Sequence, residues 1–191
     1  RQRQMCIRDR RTCARINRCV DRIVEQLEPR RLLSANVLTW HNDLARTGLN
    51  PNETQLTPAD VTVSSFGKLF SYPVDGQVYA EPLYVSNLTI PGKGTHNVVF
   101  VATENNNVYA FDADSPSGSG GMLWKVNLGT PATLPNNTIY PPGGRYGPNI
   151  SALMSITGTP VIDPATDTMY VDAFSNDTGS VFNHRIHALD Q

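Results

Sequence analysis

The feature that most constrains this chain is a β unit that occurs twice at one spacing. The first copy reads Glu81-Pro-Leu-Tyr84, Asn97-Val-Val-Phe-Val-Ala-Thr103 and Asn107-Val-Tyr-Ala-Phe-Asp112. The second reads Thr159-Pro-Val-Ile162, Asp167-Thr-Met-Tyr-Val-Asp-Ala173 and Arg185-Ile-His-Ala-Leu-Asp190. Pro82 to Pro160 and Asp112 to Asp190 both span 78 residues. One such unit cannot bury its apolar face alone, so the repeat predicts a stacked or radial array of copies. Between the anchors the loops trade length. Pro82 to Phe100 covers 18 residues against 10 from Pro160 to Tyr170, while Phe100 to Val108 covers 8 against 16 from Tyr170 to Ile186. Strands that stay in phase while loops vary are expected when strands form the core and loops the surface.

From Val37 onward the texture is short apolar runs broken by Gly, Pro, Asn and Asp. Val98-Val-Phe-Val101 is continuously apolar, which predicts a strand covered on both faces. Asn105 to Asn107 tolerate positive φ, and Val108-Tyr-Ala-Phe111 follows as the partner strand of a hairpin. Met169-Tyr-Val171 and Ile186-His-Ala-Leu189 repeat the design across a longer loop. In Met122 to Leu128, Trp124, Val126 and Leu128 alternate with Leu123, Lys125 and Asn127, the period of a half-buried strand. Trp124 is then either a core residue or a plug towards the neighbouring unit. No stretch after residue 36 holds a 3.6-residue period over three turns, so residues 37–191 are predicted to be all-β.

The N-terminal part is a different kind of sequence. Residues 1–31 carry ten Arg and four acids, a net of +6, whereas residues 32–191 carry six basic and thirteen acidic side chains, a net of −7. Cys6, Cys13 and Cys19 all lie in this part, without CxxC spacing and without a His at zinc-ligand distance. The first ten residues look like translated adaptor sequence, and residues 1–19 are expected to be a non-native or disordered basic segment. A basic arm for nucleic acid is the alternative, and the acidic body argues against it. In residues 20–36, Val20, Ile23, Val24 and Leu27 fall on one face of a short helix that Pro29 ends. Leu27-Glu-Pro-Arg-Arg-Leu-Leu-Ser-Ala35 resembles the LEPR-x-LLSA segment near the start of many exported planctomycete proteins, which implies export to the periplasm, cell surface or medium. No run of 18 apolar residues predicts a transmembrane helix.

Val99-Phe-Val101, the Asn105–Asn107 turn, Val108-Tyr-Ala-Phe-Asp-Ala113 and Trp124 together resemble the pyrroloquinoline-quinone-type β-propeller repeat. Upstream, Thr39-Trp-His-Asn-Asp-Leu-Ala-Arg-Thr-Gly48, Phe66-Gly-Lys-Leu-Phe70 and Val74-Asp-Gly-Gln-Val-Tyr-Ala-Glu-Pro82 are similar to the N-terminal portion of a secreted bacterial subgroup of that family. The resemblance implies a partial β-propeller of about two to three blades of four-stranded antiparallel sheets, truncated at both ends. It also implies an alternative activity, a quinone-dependent dehydrogenase with pyrroloquinoline quinone above calcium, whose active-site residues would lie in other blades. Fold alone does not carry that activity over. The quinone's three carboxylates call for several basic donors, and after residue 31 the chain has only Arg46, Lys68, Lys93, Lys125, Arg145 and Arg185.

No catalytic, cofactor-binding or metal-binding residue is assigned from the sequence, and no cofactor is expected. His184 and His187, three apart on a strand, face opposite ways and predict no metal site. Asp163-Pro-Ala-Thr-Asp167 and Asn176-Asp-Thr-Gly179 read as turns rather than calcium loops. Asp43 and Arg46 read as residues that fix their own loop. Arg145 and Tyr146, in Pro141-Pro-Gly-Gly-Arg-Tyr-Gly-Pro148, are the possible loop contacts. The leading expectation is a non-catalytic exported scaffold that presents blade loops to a protein or glycan, with no nucleic-acid partner.

Overall fold

A computed structural model describes residues 36–51, 56–59, 61–64, 66–115, 121–133, 153–179 and 181–191. The basic segment, the short helix, the LEPR-like run, and Arg145 and Tyr146 lie outside the described residues. Those described contain nine strands and no helix, so the predicted all-β class holds. The strands form three antiparallel sheets of four, two and three strands, none of them closed into a barrel. Among the described residues a four-stranded antiparallel sheet is formed once, and the second copy contributes three strands.

The four-stranded sheet is a meander of β1 (Leu83–Ile90), β2 (Gly94–Ala102), β3 (Asn107–Asp112) and β4 (Met122–Asn127). Asn106 turns the β2–β3 hairpin with φ 55°, a conformation Asn tolerates through local side-chain bonding. Leu83, Phe100, Ala110 and Trp124 form one cross-strand row. Ala110 is small enough that the Phe100 and Trp124 rings meet across it, with centroids 5.6 Å apart. A register shift after Ala110 lets Leu123 bulge inward, where it is buried, while Trp124 stays half-buried. The Trp124 ring thus packs on Phe100 within its own sheet and against the apolar cluster that both sheets share.

The three-stranded sheet, β7 (Val161–Asp163), β8 (Thr168–Ser175) and β9 (Asn183–Asp190), repeats the same register. Its row Val161, Tyr170, Ala188 is the counterpart of Leu83, Phe100, Ala110. The 78-residue spacing is therefore a structural equivalence. The short pair β5 (Ala132–Thr133) and β6 (Leu153–Met154) lies between the two sheets in sequence.

The two copies bury opposite faces. In the first sheet Leu83, Val98, Phe100, Val108 and Ala110 enter the core; in the second it is Ile162, Met169, Val171 and Ala173. All belong to one contiguous apolar cluster, the arrangement expected when consecutive units stack face to face. The face of the second sheet equivalent to the buried face of the first is open. Ile186 is 77% exposed where its counterpart Val108 is 0%, and Tyr170 is 44% exposed where Phe100 is 2%. The other side of the first sheet is covered by residues 70–77. Tyr72 stacks on Phe111 at 4.6 Å, so the continuously apolar β2–β3 region is sheltered on both faces.

A polar clasp joins the copies. Glu104, in the β2–β3 turn, is 1% exposed. Its Oε2 accepts the Ser155 amide at 2.6 Å and its Oε1 the Thr157 hydroxyl at 2.7 Å. Its own amide donates to the Gln77 carbonyl at 2.9 Å. Beside it, Asn106 Nδ2 donates to the Phe174 carbonyl at 3.0 Å, and its carbonyl accepts the Leu128 amide at 2.8 Å. One hairpin turn thereby ties the first sheet to the start and the far end of the second. Buried polar groups are tolerated where such partners exist.

Candidate functional site

Residues 36–50 form a lead-in that crosses the first strands of both copies. Val37 exchanges two backbone hydrogen bonds with Tyr84 of β1, and the Leu38 carbonyl accepts the Ile162 amide of β7 at 2.8 Å. The chain then coils back on itself. His41, Asn42, Arg46 and Gly48 all have φ between 57° and 68°. Three of these are not glycine, and so many left-handed residues persist only when the surroundings fix them.

The fixing contacts are visible. Asp43 accepts the Thr47 hydroxyl and, at 3.1 Å, the Thr47 amide. Those bonds hold the Asp43 carboxyl below its ordinary range. Arg46 donates to the Trp40 carbonyl at 3.2 Å and lays its guanidinium 5.1 Å from the Trp40 ring centre. Asp43 and Arg46 are loop-fixing residues, as their sequence context predicts. His41 packs its ring 4.0 Å from that of Trp40 and donates its amide to Glu81 Oε2 at 2.9 Å.

Between this loop and the start of β1 lies a cavity of about 320 Å³, lined by Val37, His41, Asn42, Thr47, Asn50 and Glu81. Glu81 is held there by its amide, which donates to Thr159 Oγ1 at 2.9 Å, the residue 78 positions later in the second copy. In the sequence Glu81 marks only the start of a repeat, and Glu104 belongs to no motif. The signal for Glu81 was its position directly before Pro82, at the point where copy and lead-in meet.

Two further polar clusters sit on the first sheet. Asp75 accepts from Tyr109 Oη at 2.6 Å, Asn107 Nδ2 at 2.6 Å and Lys125 Nζ at 3.2 Å. Partial burial pushes its pKa up, and the three donors together outweigh that and lower it. His96 Nδ1 lies 2.9 Å from Asp112 Oδ2 and its Nε2 lies 2.9 Å from the Lys93 carbonyl. The Lys93 carbonyl first and the Asp112 carboxylate second raise the His96 pKa above its ordinary 6.5. A raised folded-state pKa means stability that is full below about pH 6.5 and is lost as pH rises through the folded value. Thermal melts should therefore show the wild type losing ground to His96→Gln as pH goes from 6 to 8. A pH-independent difference would contradict this.

His184 faces Asp172, with Nδ1 3.2 Å from Oδ2, and His187 pairs in register with Val171, so the two histidines do not converge. Asp163 accepts the Ala165 amide and the Thr166 hydroxyl within its turn, and Asp177, also in a turn, accepts from Arg185 and the Thr130 amide. Among the described residues no three His, Cys, Asp or Glu side chains gather at metal-binding distance. Arg46, Lys125 and Arg185 are each engaged in separate places. No helix among the described residues is long and apolar enough to cross a membrane. No family model, curated protein or solved structure matches the chain.

Proposed function

We propose that this chain is part of an exported β-propeller scaffold that performs no chemistry itself and presents its loops to a protein or glycan. The observation that carries the reading is the exchange of buried faces between the two 78-residue copies. Each copy offers one face to its predecessor and the other to its successor, as blades do around a propeller axis. The open Val161, Tyr170 and Ile186 face of the second sheet supports a further unit docking there, and an array of about two to three blades within this chain. The LEPR-like run supports export. The loop-built cavity beside Glu81 supports a binding role for the loops.

Titration of the purified chain with pyrroloquinoline quinone and calcium, followed by fluorescence, tests the non-catalytic part. No saturable signal is expected. Stoichiometric micromolar binding would overturn the scaffold reading in favour of the dehydrogenase.

A further inference from the structure

The chemistry of the cavity beside Glu81 follows from which lining atoms remain without a partner. Glu81 uses Oε2 to accept the His41 amide, which leaves Oε1 without a partner among the described residues. Asn42 uses Nδ2 to donate to the Leu49 carbonyl at 2.6 Å, which leaves its Oδ1. His41 turns Nδ1 towards the Arg46 carbonyl at 3.4 Å, and a carbonyl can only accept, so Nδ1 carries the proton and Nε2 keeps its lone pair. The hydroxyl of Thr47 is spent on Asp43. What remains from these four residues is three acceptors and the second Nδ2 hydrogen of Asn42, with the Asn50 side chain also on the lining.

A site rich in acceptors favours a ligand that brings several donors. An anion meets the Glu81 carboxylate. A cavity of about 320 Å³ lies at the small end of ligand pockets, large enough for a ring bearing several hydroxyls. An ammonium group would satisfy one carboxylate oxygen and leave most of that volume to water. The Arg46 guanidinium, held over Trp40 in the same loop, adds a positive charge against a cationic ligand. Loop rigidity also favours binding, since the self-bonded 40–50 segment has little freedom to lose.

We infer that the cavity between the Trp40–Asn50 loop and Glu81 is a binding site for a neutral pyranose, held by hydroxyl groups that donate to Glu81 Oε1, Asn42 Oδ1 and His41 Nε2. This rests on the binding-scaffold reading and names the ligand class of one of its loops. Hydrogen bonds to a charged carboxylate are roughly twice as strong as neutral ones, so Glu81 dominates recognition.

The test uses amide NMR of the full chain titrated separately with glucose, galactose, mannose and N-acetylglucosamine, and with methylammonium chloride as the cation arm. At least one pyranose should shift amides of residues 41–50 and Glu81 at millimolar concentration. Glu81→Gln should weaken it about tenfold or more. His41→Phe, which keeps the ring on Trp40, should also weaken it and guards against misfolding of the first variant. No shift with any pyranose, shifts confined to other loops, or a response to methylammonium alone would overturn the inference. Such a failure with no quinone binding would leave the scaffold reading standing; quinone binding would remove both.

Discussion

Replacing Glu104 with Ala is expected to destabilise the chain by about 2–5 kcal/mol. The carboxylate is buried and accepts two donors from the segment that leads into the second copy, the Ser155 amide and the Thr157 hydroxyl. A buried donor left unsatisfied costs about 1–3 kcal/mol; the variant strands the buried Ser155 amide and removes the acceptor of the part-buried Thr157 hydroxyl. That is a large share of a typical total of about 5–15 kcal/mol. Glu104→Gln retains one acceptor oxygen and should lose about half as much. Urea melts of the two variants check the order. A loss below about 1 kcal/mol in Glu104→Ala would show that the clasp does not hold the copies together.

Trp124→Ala should cost about 2–3 kcal/mol, below the roughly 3–5 kcal/mol of a fully buried aromatic, because the ring is half-buried and packs on Phe100 across Ala110. Trp40→Ala should cost about 1 kcal/mol or less. Trp40 is 44% exposed, and its removal loses a stacked guanidinium and a neighbouring imidazole, contacts of modest strength. Denaturant melts of both variants compare the two. Equal losses would contradict the placement of Trp124 in the core row and of Trp40 in a surface loop.

The architecture was legible because period-2 apolar runs and Asn-rich turns are local signals. Val98 to Val101 and Val108 to Phe111 specify their own hairpin, and the 78-residue spacing predicts which residues share a row. The face swap was not legible. Tyr170 and Phe100 look alike in sequence, and only the stacking of the two sheets decides that one is exposed and the other buried. Glu104 was missed for a related reason. An acidic residue in a turn ordinarily faces water, and its partners Ser155 and Thr157 lie some fifty positions away. The cavity was half legible: Asp43 and Arg46 announce a self-bonded loop, whereas Glu81 joins it through a contact forty residues long. Arg145 and Tyr146 lie outside the described residues and so contribute nothing to the site.

Native-state hydrogen exchange on the full chain tests the central claim most directly, that two equivalent β units pack opposite faces into one core. Amides of β2 and β8, the inner strands of their sheets, should exchange with one common free energy, and the Ser155 amide bonded to Glu104 should exchange with them. Glu104→Ala should lower all three together. A second sheet that opens at much lower free energy than the first, with Ser155 unprotected, would contradict the account.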